Sequence, residues 1–251
     1  MIDLDLIGIG TGNPEHLTLA AIRAMNEADL ILLPRKGDAK SDLLDLRRMI
    51  CGTVLTGSTR IAEFDLPERD ADAAYLEAVD DWHREIAGVW AREIEAYLPQ
   101  GGRLALLVWG DPSLYDSSLR IAERLLAAGV ALNVRVVPGI TSIQALTAAH
   151  GITLNTLAAP VTITTGRRLR REGWPAGSDT LVVMLDAACA FETLPGQDIH
   201  IWWGAYLGMP QECLIAGALD EVAGEIVRRR AALRAENGWI MDVYLLRRAA
   251  K

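Results

Sequence analysis

Apolar residues in this chain gather in short blocks, and the blocks alternate with stretches where apolar positions recur every three or four residues. Residues 3–7 form the first block and read as a strand, after which Asn13-Pro14 supplies an N-cap and an N1 proline for a helix to about Ala28. LILL (30–33) is a second short strand, Ser41 caps a helix in KSDLLDLRRMI, and a third strand lies near STRIAEF. Tyr75, Val79, Trp82, Ile86, Val89, Ile94 and Leu98 follow at spacings of three to five, which predicts one long amphipathic helix over 70–98. RLALLVW (103–109) is a buried strand, SSLRIAERLLAAG a helix, and VRVVP (134–138) another strand. This alternation predicts a parallel sheet with helices on both faces.

Beyond HGITLNTLAAP the texture changes. VTITT, TLVVML, IHIWWGAYLG and WIMDVYLLR read as strands with fewer helices between them. The linker is placed near 151–160, joining an N-terminal α/β domain (1–155) to a C-terminal α+β domain (160–251). No internal repeat or low-complexity tract stands out.

Composition narrows the class. An apolar fraction of 51% over 251 residues supports a sizeable core. No run approaches the roughly 20 apolar residues that cross a bilayer, and the acidic start lacks a signal-peptide pattern, so no membrane association and a cytoplasmic location are expected. A net charge of -8 disfavours nucleic acid, which asks for a basic footprint. Cys51, Cys189 and Cys213 are odd in number and widely spaced, and read as reduced thiols. No HExxH or CxxC site offers a metal centre. The basic residues are twenty-two arginines and three lysines, Lys36, Lys40 and Lys251, so two of the scarce lysines share one short loop.

The loop GIGTGNPEH (8–16) holds glycines at every second position. A dinucleotide fingerprint GxGxxG needs a third glycine where Asn13 or Glu15 stands, and no acidic residue closes the second strand, so that reading fails. A GK[ST] phosphate loop is absent. Two readings of this loop then stand on equal terms: a cofactor cradle, or glycines that let the chain turn sharply between strand and helix. VWGDPSLYDSS (108–118) and VVPGITSIQ (136–144) each follow a strand, on the sheet edge where ligands bind in open parallel sheets.

GIGTGNPEHLT, ADLILL, GDPSLY, VPGITS and TLVVML, in this order, resemble the tetrapyrrole methylase family along the whole chain. The first loop departs from that family's frequent GPGD. The resemblance implies a two-domain α/β fold, a homodimer, and S-adenosylmethionine held in the cleft between the domains, with S-adenosylhomocysteine as product and no metal. KGDAKSDLLDLRR, AVDDWH and LIAGALDEV with GWIMDVYLLR resemble the branch that methylates C1 of precorrin-5 and releases acetate in aerobic cobalamin synthesis. Carried over residue by residue, the resemblance implies cofactor contacts at Thr11, Trp109, Gly110, Asp111, Leu114, Thr141, Ser142, Met184, Tyr206, Leu207 and Ala218.

Methyl transfer from a sulfonium is an in-line displacement that asks for positioning and ordered solvent, with neither a metal nor a strong base. An anionic tetrapyrrole needs a local basic patch on an acidic protein. Arg35, Lys36, Lys40 and Arg47, with Arg48, cluster after the second strand and are read as carboxylate contacts. The alternative is a solvated helix with Arg47 and Arg48 near its C-terminus. Release of acetate needs a group that directs water, for which Tyr115, Asp116 and His83 are candidates. The runs RRLRR (167–171) and RRR (228–230) read as solvated faces. Competing functions are methylation of another precorrin position, of the diphthamide precursor or of ribosomal RNA, a non-catalytic cofactor-binding module, and a nicotinamide oxidoreductase.

Overall fold

The computed structural model describes residues 1–35, 41–67 and 75–248, except the side chains of 41, 42 and 75–77. Two compact units result, residues 1–141 and 142 onward. The sequence places the linker at 151–160, but the division falls earlier because the helix Ser142–His150 packs on strands of the second sheet.

The first unit is a parallel five-stranded sheet in the order β3-β2-β4-β1-β5: β1 (Ile2–Gly8), β2 (Leu30–Arg35), β3 (Arg60–Asp65), β4 (Gly102–Val108) and β5 (Leu132–Val137). Its helices are α1 (Leu19–Glu27), α2 (Ser41–Val54), α3 (Tyr75–Tyr97) and α4 (Ser118–Ala127). The central strands are apolar on both sides because both sides are covered. Leu4, Leu6, Leu32, Leu104 and Leu106 meet Ile86, Trp90, Ile121 and Leu125 of α3 and α4. Ile7, Ile31, Leu33 and Leu107 meet Ala21 and Met25 of α1 and Leu44 and Ile50 of α2. Asp5, inside β1 and 2% exposed, is neutralised by its register partner Arg135 on β5 through a bidentate pair at 2.7 and 2.6 Å.

One predicted helix divides. Asn13 caps only a single 3-10 turn, Pro14–His16, and Thr18 caps α1 by accepting a hydrogen bond from Ala21 N at 3.0 Å. Leu17 and Thr18 are extended, so the chain re-aims between the two caps.

The second unit holds a mixed sheet in the order β6-β7-β10-β8-β9: β6 (Val161–Thr165), β7 (Thr180–Met184), β8 (Ile199–Ala205), β9 (Cys213–Ala218) and β10 (Asp242–Arg248). Helices α5 (Ser142–His150), α6 (Gly166–Glu172) and α7 (Leu219–Asn237) accompany it. Strand β9, unforeseen from the sequence, pairs antiparallel with β8. The RRR run is not a uniformly solvated face. Arg230 is buried, its Nε donates to Asp242 Oδ2 at 2.8 Å, and its Nη2 donates to the Asp186 carbonyl at 2.8 Å. Asp242 also accepts from Trp203 Nε1 at 3.0 Å, and Asp186 accepts from the Tyr244 hydroxyl at 2.7 Å. Among the described residues no helix is long and apolar enough to cross a membrane.

Candidate functional site

Three loops leave adjacent strands β4, β1 and β5 at their carboxyl ends and interlock through backbone. Gly110 N donates to Gly10 O at 2.7 Å, and Ile9 N donates to Val108 O at 2.9 Å. A Cβ on Gly139 would lie 2.1 Å from the Gly110 carbonyl oxygen, and one on Gly8 would lie 2.6 Å from Gly139 N. These glycines are therefore required by close approach of backbones, and Gly10 at φ +71 by its turn. The first loop is thus a tightly packed turn held against the loops after β4 and β5.

Asp111 clamps the assembly. Its Oδ1 accepts from Ser113 N at 2.8 Å and from Ser113 Oγ at 2.5 Å, and its Oδ2 accepts from Gly139 N at 2.9 Å. Burial alone would raise its pKa, but the bonds from Ser113 and Gly139 outweigh burial and hold the carboxyl below its ordinary value. A depressed pKa means that the clamp is fully made above the unfolded value of about 3.9 and is lost as pH falls through the lower folded value. Leu114, half-buried, donates its N–H to the Asp111 carbonyl at 3.2 Å. Thr11 is buried with its hydroxyl 2.9 Å from His16 Nδ1, and Thr141 Cα lies 3.6 Å from where a Gly110 Cβ would stand.

Tyr115 sits at φ 51 with 45% of its surface exposed, an uncommon backbone state for a bulky side chain and one concentrated at functional loops. Asp116 accepts from Ser118 N at 2.7 Å through Oδ1, so this carboxylate serves the start of α4. His83, 4% exposed on α3, has a buried Nε2 with no hydrogen-bond partner. Burial, then the nearby Arg124 and Arg120, push its pKa down, which keeps the ring neutral at pH 7.

Among the described residues of the basic cluster, Arg35 and Arg48 are paired with acids. Arg35 forms a bidentate pair with Asp65, its register partner on β3, at 2.8 and 3.0 Å, and lies 3.7 Å from Glu63. Its charge is thus matched by two acids across the β2–β3 pair. Arg48 is paired with Glu63 and Asp45, both at 2.7 Å. Lys36 and Lys40 lie outside the described residues. Arg47 differs from both arginines around it. It is buried, its Nε donates to Leu107 O at 3.3 Å, its Nη1 donates to Leu43 O at 3.4 Å, and its guanidinium lies 4.7 Å from the Trp109 ring centre. Burial pushes its pKa down to about 10, with Asp116 and Cys51 opposing, so it stays charged at neutral pH.

In the second unit Met184 closes β7, half-buried, and Leu185 after it is at φ 52 and 66% exposed. Tyr206 ends β8 at φ 51. β7 and β8 both run antiparallel to β10, so both residues stand at one edge of this sheet. The Tyr206 side chain is turned into the interior of the unit. It is fully buried, stacks edge-on with Trp239, and its hydroxyl donates to Trp239 O at 2.5 Å. Leu207 is buried against Gly204. Ala218 pairs with His200 at the start of β8, at the opposite end of the sheet from Met184 and Tyr206. The structure thus keeps Ala218 apart from the other residues expected of this unit.

Residues 4–223 match the model of the tetrapyrrole (corrin/porphyrin) methylases. The chain belongs to that family. As a tetrapyrrole methylase it is 50% identical over 248 residues to the precorrin-6A synthase [deacetylating] of Sinorhizobium sp, a match that spans 98% of this chain and 95% of that protein. Among solved structures, the cobalamin synthesis related protein CobF of Corynebacterium diphtheriae is 41% identical with a TM-score of 0.85, covering all of both chains. A uroporphyrin-III C-methyltransferase of Thermus thermophilus, solved with S-adenosyl homocysteine, shares the fold at a TM-score of 0.59 and 22% identity, covering 97% and 91% of the two chains.

In this methylase the loops after β1, β4 and β5 supply a fixed backbone surface, which suits a reaction governed by positioning. The sequence singled out Gly110, Asp111 and Thr141 in these loops, but it assigned Gly8 and Gly139 no clamping role. The signal for those two was available in VPGITS and IGIG: a glycine at or just beyond the carboxyl end of a parallel strand, where the neighbouring loop must pass.

Proposed function

We propose that this chain is an S-adenosylmethionine-dependent C-methyltransferase of aerobic cobalamin synthesis that methylates C1 of precorrin-5 and releases acetate, giving precorrin-6A. The identity of 50% to the Sinorhizobium enzyme along nearly the whole of both chains carries this reading. In the transfer, the S–CH3 bond breaks as the C–CH3 bond forms, and sulfur keeps its electron pair as S-adenosylhomocysteine. Water adds to the acetyl carbonyl and its protons pass to solvent, the C–C bond to the macrocycle breaks, and acetate departs, leaving on the ring system the electron pair that forms the C–CH3 bond.

The chain's own part is to hold and exclude. The loops joined by Asp111 hold the donor, with Trp109, Gly110, Leu114, Thr141 and Ser142 in contact, and Thr11 supports them. Tyr115 and Asp116 follow on the same loop and are the candidates for directing a water molecule at the acetyl group. Met184, Leu207 and the backbone of Tyr206 are further candidate cofactor contacts, carried over from the family resemblance. The substrate is an anionic tetrapyrrole. The chain works as a cytoplasmic homodimer in this reading, and light scattering should give twice 27.3 kDa.

The decisive experiment incubates the protein with methyl-labelled S-adenosylmethionine and precorrin-5, following corrinoid mass and free acetate. One labelled methyl gained with one acetate released is the expected result. Methyl gain without acetate would move the enzyme to another ring position, and absence of turnover would overturn the reading. Asp111→Asn tests the clamp. An amide nitrogen would face either Gly139 N–H or the Ser113 donors, so S-adenosylhomocysteine affinity should fall about tenfold, as expected for loss of a hydrogen bond to a charged group. Calorimetric titration measures it, and an unchanged dissociation constant would remove Asp111 from the cofactor's support.

A further inference from the structure

Two donors withdrawn from water stand together at the carboxyl end of β4. Arg47, on α2, is 9% exposed and lies over the face of Trp109, the residue that follows β4. Its two hydrogen bonds run to carbonyl groups and are long, at 3.3 and 3.4 Å. Among the described residues Asp116 acts on it only from a distance, and no carboxylate lies within 4 Å. The neighbouring Arg48 shows the contrast, with two acids at 2.7 Å or closer. The Trp109 Nε1 is itself buried with no hydrogen-bond partner. Guanidinium and indole N–H can only donate. A neutral acceptor would satisfy the indole and leave the buried charge uncompensated, whereas a carboxylate satisfies both and matches the planar fork of arginine.

We infer that Arg47 and Trp109 form a carboxylate-binding subsite at the root of the β4 loop, with Arg47 as the charge and the Trp109 N–H as the second donor. The subsite itself stands on geometry alone, and only the source of its carboxylate rests on the function proposed above. That source is a ring side chain of the precorrin, the methionine end of S-adenosylmethionine, or the acetate released by the reaction.

The test uses the whole protein and three variants. Trp109→Phe keeps the ring and removes the N–H, Arg47→Lys keeps charge without the fork, and Arg47→Met removes the charge. Line broadening of 13C-labelled acetate reads the subsite without turnover. Acetate should bind the wild type, at least fivefold more weakly to Trp109→Phe, and not to Arg47→Met. If Arg47→Met fails to fold by circular dichroism, Arg47→Lys and Trp109→Phe decide. Three further arms identify the source: the dissociation constant of S-adenosylhomocysteine, the KM for precorrin-5, and product inhibition by acetate. The arm that moves most names the carboxylate. Folded variants that match the wild type in acetate binding and in all three arms would overturn the subsite while leaving the proposed reaction intact. A wild type without turnover, whose acetate binding still depends on Arg47, would overturn the reaction and keep the subsite.

Discussion

Gly139→Ala is expected to break the candidate site and destabilise the first unit together. A methyl group there would sit 2.1 Å from the Gly110 carbonyl oxygen and 2.7 Å from the Gly8 carbonyl carbon, and both obstacles are backbone. No side chain can swing aside, so the loops after β1, β4 and β5 must part. Overpacking in a tight interior costs typically about 1–3 kcal/mol and sometimes more, and this geometry belongs at the upper end. For a chain of this size that is a fall in Tm of roughly 6–12 °C. Parting the loops also strains the bond from Gly139 N to Asp111, so S-adenosylhomocysteine affinity should fall by more than the roughly tenfold expected of Asp111→Asn. Thermal unfolding and calorimetry on the same preparation check both. A variant with wild-type Tm and affinity would show that the loops give way at no cost, and the interlock would lose its role. Gly129→Ala is the control, because its Cβ would meet nothing within 4 Å. Its φ of +88 allows a modest loss of stability and no loss of affinity.

The second large effect is expected at Arg230→Met. Arg230 and Asp242 pair at 2.8 Å with side-chain exposures of 11% and 8%, and Asp242 also accepts from Trp203 Nε1. Removing the cation leaves a buried carboxylate with one neutral donor and opens the hydrogen bond to the Asp186 carbonyl. Breaking one side of a buried pair costs about 3–5 kcal/mol. Asp242→Asn in the Arg230→Met background removes the stranded charge yet keeps an acceptor for Trp203. It should therefore recover part of the loss, and the double-mutant cycle gives the coupling. Denaturant unfolding of the four proteins measures it. Equal losses in the single and double variants would mean that the stranded charge carries none of the effect.

These two arginines also show how far sequence patterns reach. The strands were legible because apolar blocks in a sheet covered on both faces need no finer clue, as in LILL and RLALLVW. Arg230 was read as part of a solvated face and Arg47 as a carboxylate contact in a basic patch, and neither reading used the phase that places both side chains inward. Arg47 falls three residues after Leu44 and four before Cys51, both buried on α2. Arg230 falls between Ile226 and Leu233 on the buried stripe of α7. A cation in step with an apolar stripe is a cation drawn into the interior, and that phase was the signal. The break at Leu17-Thr18 was hidden because Asn13-Pro14 is the louder start signal and Leu17 continues the apolar rhythm. Strand β9 was hidden by its small residues, since CLIAGA alternates too weakly to declare a face. The position of Ala218 in the sheet was hidden for the same reason. Without β9, nothing in the sequence says that the chain has turned back to the far end of its sheet.

The order of strands in the first sheet has a consequence for synthesis. β1 lies between β4 and β5, and its register partners for Ile2 are Gly102 and Leu132. A ribosome adding about 5–20 residues per second therefore makes β1 roughly 5–20 seconds before either neighbour exists. For that interval β1 has two open edges and a largely apolar surface, and Asp5 waits without Arg135. Its buried carboxylate, costly to stability in isolation, gives the nascent strand a charge that resists aggregation until the cation that neutralises it emerges.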